Sequence, residues 1–184
     1  LQNGFTPLFV DVELKTLNLD LDQVEAKLTP KTKAVMFAHV LGNPPDMDRL
    51  MELCRRRDLL FLEDTCDALG SSWGGTPLGG FGKMATCSFY PAHHITTGEG
   101  GMVSTSDEAI ERVVRSLCWW GRDCYCVGKA NLLENGTCGK RFDKWLPELP
   151  DLTIDHKYVF TEMGYNLKPL DLQGAIGSVQ LKKL

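Results

Sequence analysis

The chain has 184 residues, 43% apolar and 24% charged, with a net charge of −4. These are the proportions of a soluble globular protein, and the length suits one domain. The acidic balance and scattered Lys and Arg exclude a nucleic-acid footprint. No apolar run approaches the roughly 18 residues of a membrane span, and no signal-peptide pattern opens the chain, so a cytoplasmic setting is expected. Leu1 opens without an initiator Met and Leu184 falls inside a helical pattern, so an internal piece of a longer protein is expected.

Phe5 to Val12 reads as a short apolar strand. Asp20 to Leu28 reads as a helix, with Leu21, Val24 and Leu28 on one face and Pro30 stopping it. Lys33 to Val40 is a continuous apolar run, short enough for a buried parallel strand. After the Gly42-Asn43-Pro44-Pro45 turn, Asp46 is the expected N-cap of a helix from Met47 to about Arg57. Leu50, Leu53 and Cys54 form its apolar stripe, and the Arg55 to Arg57 triplet sits at its end, where cations favour the helix dipole. Leu59 to Leu62 is the next strand and runs into Glu63-Asp64. A glycine-rich passage from Gly70 to Gly82 precedes strands at Met84 to Phe89 and Gly101 to Ser104. Asp107 to Leu117 is a helix with Ala109, Ile110, Val113, Val114 and Leu117 inward. From Trp119 to about Tyr165 no period is sustained, which in a compact domain marks a functional or disordered loop. A last helix runs from Pro169, in its first turn, with Leu172, Ala175, Ile176 and Val179 on one face. Short apolar strands alternating with amphipathic helices imply an α/β layer with a largely parallel sheet.

Three features carry chemistry. Ser88 to Gly101 (SFYPAHHITTGEGG) follows a strand, holds adjacent imidazoles suited to proton transfer near neutral pH, and closes on paired glycines. A surface loop with two uninvolved histidines is the competing reading. Asp64 ends a strand, where ligands bind in open α/β sheets; it is a turn residue or the partner of a cationic ring nitrogen such as a pyridinium. Seven cysteines, at 54, 66, 87, 118, 124, 126 and 138, are an odd number without a secretory signal. That disfavours a disulfide framework and leaves metal binding, catalysis or buried thiols.

Glu63-Asp64-Thr65-Cys66-Asp67-Ala68-Leu69-Gly70, then SFYPAHHITTGEGG, then Gly164-Tyr165-Asn166-Leu167 resemble, in order and spacing, the DegT/DnrJ/EryC1/StrS sugar aminotransferase and dehydrase family. The resemblance covers essentially the whole chain. It implies an α/β, aspartate-aminotransferase-like (type I) fold, with residues 1–184 as the central part of the large domain and a cysteine-rich irregular loop at about 119–165. It also implies a pyridoxal or pyridoxamine 5′-phosphate cofactor and a homodimer.

Where most of the family carries the lysine that forms a Schiff base with the cofactor, this chain has His93. The resemblance therefore implies the branch that binds pyridoxamine phosphate, condenses its amine with a nucleotide-linked keto-sugar, and uses histidine as the base at C4′ to remove the C3 hydroxyl. Asp64 would face the pyridine nitrogen; Ser88, and Asn166 from a neighbouring subunit, would bind the phosphate. Asp67 and Tyr90 stand where aminotransferase relatives often have histidine and would line the site; a turn aspartate and a packing tyrosine are the alternatives.

Fifty-seven residues separate Cys66 from Cys124, one separates Cys124 from Cys126, and 11 separate Cys126 from Cys138. This pattern resembles the iron–sulfur 3-dehydrases of 3,6-dideoxyhexose synthesis, and it implies that Cys66, Cys124, Cys126 and Cys138 hold a [2Fe–2S] cluster. The branch implies a CDP-linked 4-keto-6-deoxyglucose substrate, and an NADH-dependent flavin and iron–sulfur reductase as electron donor. The loop before Cys138 is longer than in that branch, and Lys129 to Glu134 read as an insertion, which costs little. Cys54, Cys87 and Cys118 lie on helix or strand patterns and read as packing residues. A cluster-free dehydrase or aminotransferase of the same fold, and a non-catalytic metal or redox module, are the alternatives.

Overall fold

The computed structural model describes residues 2–124, 139, 141–142 and 148–184. The chain divides into two compact units, Leu1–Ser106 with Asp171–Leu184, and Asp107–Leu170.

The first unit is built on a four-stranded sheet. Its strands are β1 (Ala34–Ala38), β2 (Leu60–Asp64), β5 (Met84–Ser88) and β6 (Gly101–Ser104), in that spatial order. The first three are parallel and β6 runs antiparallel to β5. Two helices, α1 (Leu21–Lys27) and α2 (Met47–Arg56), contribute to its core. Asp20 caps α1 by accepting from the N–H of Asp22 at 2.9 Å and of Gln23 at 3.1 Å. Asp46 caps α2 by accepting from Arg49 N–H at 3.0 Å. Each cap satisfies helix-terminal N–H groups that have no intrahelical acceptor. Leu21, Val24, Met47, Leu50, Leu53 and Cys54 pack with Val35 of β1 and Phe61 of β2 into one buried core.

Several expectations are corrected. Phe5 to Val12 is not a strand: only Val12 makes an isolated bridge, to Leu19, and Phe9 is 82% exposed. Among the described residues no strand pairs along it, so apolarity alone does not create a ladder. The apolar run of β1 is buried on one face only, with Met36 61% exposed. β2 continues past Leu62 to Asp64, because Phe37 and Ala38 offer it partners on β1. The glycine-rich passage holds a small hairpin of β3 (Ser72–Trp73) and β4 (Thr76–Pro77). The last helix, α4 (Asp171–Leu181), starts two residues beyond Pro169. Its Leu172 and Val179 are exposed rather than inward, since no described element of the unit covers that face.

In the second unit, α3 (Glu108–Cys118) is capped by Asp107. Val113 of its expected inward face is exposed, while Ser116 is buried. The described residues beyond α3 form local structure that their lack of periodicity does not suggest. Trp119 bridges Asn166, Arg122 bridges Phe160, and His156–Tyr158 form a 3-10 turn. The Arg122 guanidinium lies 4.6 Å from the Trp120 ring centre and 5.3 Å from that of Tyr158, a cation–π arrangement. Cys126, Cys138 and the Lys129 to Glu134 segment lie outside the described residues.

Candidate active site

Asp64 is the last residue of the central strand β2, in register with Ala38 on one side and Thr86 on the other. Ser88 is the last residue of the neighbouring β5. Both thus stand at the carboxyl ends of parallel strands, where open α/β sheets take their ligands. The Asp64 carboxylate Oδ1 accepts from Cys66 N–H at 3.0 Å, which folds the chain sharply after the strand. The Ser88 hydroxyl oxygen accepts from Tyr90 N–H at 3.1 Å, starting the loop that carries the histidines.

That loop is held at both ends. Phe89 N–H donates to Gly100 O at 2.8 Å, and Phe89 O accepts from Thr97 N–H at 3.0 Å and from the Thr96 hydroxyl at 2.8 Å. Gly100 has φ +153, and a Cβ there would run into the Thr97 hydroxyl. Glycine is therefore required for the turn to close. His93 N–H donates to Tyr90 O at 3.0 Å. Its ring Nδ1 lies 3.1 Å from Asp67 Oδ1, and its ring is edge-on to Tyr90 with centres 6.0 Å apart. The His93 side chain is 23% exposed and that of Asp67 51%. Asp67, Tyr90 and His93 are thus brought together from the segments after β2 and β5, whereas His94 is exposed. An imidazole hydrogen-bonded through Nδ1 to a carboxylate presents Nε2 as the exchangeable site, the arrangement of a general base.

Burial, then the Asp64 carboxylate beside it, push the Cys66 thiol up to about 11. Cys54 and Cys87 are buried, and burial raises both thiols; the Cys118 thiol donates to Leu167 O at 3.0 Å. Cys54 and Cys87 are thus packing residues, and Cys118 is half-buried with its thiol hydrogen-bonded. Cys124 and Asn166 belong to the second unit, where the Lys168 ammonium donates to Asn166 Oδ1. Among the described residues no three His, Cys, Asp or Glu side chains gather as a metal site. A cavity of about 340 Å³ lies next to the sheet, lined by Thr65, Ala68, Leu78, Gly79, Cys87 and Met102 among others. None of the candidate site residues lines it.

A carboxylate, a hydroxyl and an imidazole at adjoining strand ends form a donor set that fits a pyridine-type cofactor with a phosphate arm. Sequence reasoning passed over Glu63, fully buried beside Asp64, and His39, fully buried at the end of β1. The signal was available: in Leu60 to Asp64, alternation puts Glu63 on the face of Phe61, so a carboxylate is buried where an apolar side chain is expected.

The sequence matches the DegT/DnrJ/EryC1/StrS aminotransferase family over residues 1–184. It is 49% identical over 183 residues to a dTDP-4-dehydro-2,6-dideoxy-D-glucose 3-dehydratase of Saccharopolyspora spinosa. It is 45% identical over 184 residues to the lipopolysaccharide biosynthesis protein RfbH of Salmonella typhimurium, and 35% over 190 to a GDP-4-keto-6-deoxy-D-mannose 3-dehydratase of Yersinia pseudotuberculosis. Each alignment takes in 100% of this chain but only 38%, 41% and 43% of those relatives, so the chain spans about two-fifths of their length. Among solved structures, a mutant GDP-4-keto-6-deoxymannose-3-dehydratase with bound GDP-perosamine superposes with a TM-score of 0.76 at 33% identity, covering 96% of this chain and 42% of that one. The E. coli GDP-4-keto-6-deoxy-D-mannose-3-dehydratase with bound hydrated PLP superposes at 0.75 and 33%, covering 95% and 42%. The fold is that of the PLP-dependent sugar aminotransferases and dehydratases, and the chain belongs to the DegT/DnrJ/EryC1/StrS aminotransferase family.

Proposed function

We propose that the protein containing this chain is a pyridoxamine-phosphate-dependent 3-dehydratase acting on a nucleotide-linked 4-keto-6-deoxyhexose. The observation that carries the reading is His93: a histidine paired through Nδ1 with Asp67, where family aminotransferases keep a lysine. Imidazole forms no imine with the cofactor but moves protons. The 3-dehydratases named among the relatives support the same reading.

Pyridoxamine phosphate, when bound, supplies the amine that condenses with the 4-keto group and a ring that takes up electrons. The chain's residues have separate tasks. Asp64 holds the proton on the pyridine nitrogen by offering it a carboxylate. Ser88, and Asn166 from a neighbouring subunit of a homodimer, bind the phosphate. Asp67 fixes the His93 ring through Nδ1, which leaves Nε2 to take the C4′ proton as the C3 hydroxyl departs. Tyr90 bounds the imidazole on one side.

We further propose that Cys66, Cys124, Cys126 and Cys138 hold a [2Fe–2S] cluster, on the strength of their spacing. Such a cluster supplies electrons one at a time. With an NADH-dependent flavin and iron–sulfur reductase as donor, two electrons and two protons convert the keto-sugar to its 3-deoxy form with release of water. CDP is the nucleotide this branch implies, and 3,6-dideoxyhexose synthesis for lipopolysaccharide in the cytoplasm is the setting.

Product identity tests the assignment. Full-length protein, pyridoxamine phosphate, the reductase and NADH are incubated without oxygen with the CDP-, dTDP- and GDP-linked 4-keto-6-deoxy sugars in parallel. Mass spectrometry is expected to find a product lacking the C3 oxygen, formed fastest from the CDP sugar. An amino group in place of the keto oxygen, formed with glutamate, would mean a transferase.

A further inference from the structure

Behind Asp64, on the opposite face of β2, the Glu63 carboxylate is buried with 1% of its surface exposed. A buried carboxylate is costly unless its acceptor sites are filled. Here four N–H groups fill them. Oε2 accepts from Gly79 N–H at 2.7 Å and meets His39 Nε2 at 3.1 Å. Oε1 accepts from Phe81 N–H at 2.8 Å and Gly82 N–H at 2.5 Å. The segment from Gly79 to Gly82 thus wraps around an anion that belongs to the chain itself. A Cβ on Gly82 would sit 2.7 Å from Phe61 O, so no other residue brings that N–H so close to the strand.

His39 is also fully buried, and its ring packs edge-on against Phe37 with centres 4.9 Å apart. Its Nδ1 has no hydrogen-bond partner among the described residues. A carboxylate oxygen can only accept, so it is the Nε2–H tautomer that completes this contact with Glu63. The backbone closes the same circuit, since His39 N–H donates to Asp64 O at 3.1 Å. On the other side, Thr65 N–H and the Thr65 hydroxyl both donate to Thr86 O at 2.8 Å. Residues 63 and 64 are both tied to His39, and residue 65 to Thr86, so the strand end is held from both sides.

An apolar pair of similar volume would stabilise this core at least as well as a buried charge with its partners. What an apolar pair does not provide is direction. We infer that the Glu63–His39 pair, with the backbone N–H groups of Gly79, Phe81 and Gly82, positions Asp64, holding the end of β2 so that its carboxylate keeps a fixed placement toward a pyridinium ring. This rests on the reading of Asp64 as the ring-nitrogen partner. Glu63 touches no cofactor in this account; it acts through the residue that follows it.

The test is a double-substitution cycle on the full-length apoenzyme, with the dissociation constant for pyridoxal phosphate, from absorbance titration, as the readout and the unfolding midpoint recorded alongside. Glu63→Gln is expected to weaken cofactor binding on the order of tenfold, the lower end of what loss of an orienting outer partner costs a bound group. In an Asp64→Asn background the same change is expected to add nothing further, because the group it orients is gone. His39→Asn removes one of the four donors and should show the same coupling at smaller size; it decides the matter if Glu63→Gln does not fold. If Glu63→Gln or His39→Asn lowers the midpoint but leaves cofactor affinity unchanged, or costs equal affinity in both backgrounds, the pair is only structural and the inference is overturned. If Asp64→Asn alone leaves affinity unchanged, the reading of Asp64 fails and the inference with it, an outcome told apart by that single variant.

Discussion

Asp67 Oδ1 lies 3.1 Å from His93 Nδ1, across 26 positions of sequence. The contact joins the turn after β2 to the loop after β5, and it makes the two histidines of that loop unequal. His93 is held by a carboxylate; His94 is exposed.

Asp67→Asn keeps the size and an acceptor oxygen but removes the charge facing the ring. In the full-length enzyme, kcat for dehydration is expected to fall by about tenfold to a hundredfold, below the 10²–10⁴ associated with a general base itself. KM for the sugar should change little, and steady-state kinetics separate the two. Equal loss in KM alone would assign Asp67 to substrate binding.

Stability should depend on acid through Glu63. Burial pushes this carboxyl up, but the His39 side chain and the N–H groups of Gly82, Gly79 and Phe81 outweigh it and hold it below the usual 4.5. The unfolded chain then binds the proton more readily than the folded one, so this contribution is complete above about 4.5 and is lost as pH falls through the lower folded value. Urea midpoints of the full-length protein between about pH 6 and pH 3.5 should fall with acid, and Glu63→Gln should flatten that fall while lowering the neutral-pH midpoint. An unchanged acid slope in the variant would contradict it.

The core and its caps should differ in cost. Leu50, fully buried among α1, α2 and the sheet, is expected to lose about 2–5 kcal/mol on Leu50→Ala. Asp46→Ala removes only the α2 cap at Arg49 N–H and should cost about 1 kcal/mol. Chemical unfolding of the two variants ranks them.

The cysteines divide sharply in the account. Anaerobically reconstituted full-length protein should contain iron and absorb in the visible, and Cys124→Ser or Cys126→Ser should abolish both. Cys54→Ala should keep them and instead reduce stability, since Cys54 is buried in the core. Protein without iron in any of these forms would remove the cluster from the mechanism.

Much of the first unit was legible because local signals agreed with one another. Asp20 and Asp46 cap the helices they precede, and the strands that place Asp64 and Ser88 read directly as short apolar runs. Phe5 to Val12 misled for a physical reason: strand propensity is a statement about paired neighbours, and among the described residues its one ladder contact is the isolated bridge from Val12 to Leu19. The faces of α3 and α4 misled similarly, since amphipathic spacing marks a side meant for burial without naming what covers it. Glu63 and His39 escaped notice because each sits in an apolar run, where single polar residues are easily taken as strand ends. The Asp67–His93 pairing lies 26 residues apart in sequence and depends on how two loops meet, which no periodicity encodes.

The proposed function stands on proton transfer by His93, at the position where family aminotransferases keep a lysine. The most direct measurement is single-turnover dehydration of the keto-sugar by full-length enzyme loaded with pyridoxamine phosphate, comparing wild type with His93→Asn at matched cofactor occupancy. His93→Asn is expected to bind cofactor and sugar but to dehydrate about 10²–10⁴ times more slowly. Dehydration at the wild-type rate in that variant would contradict it.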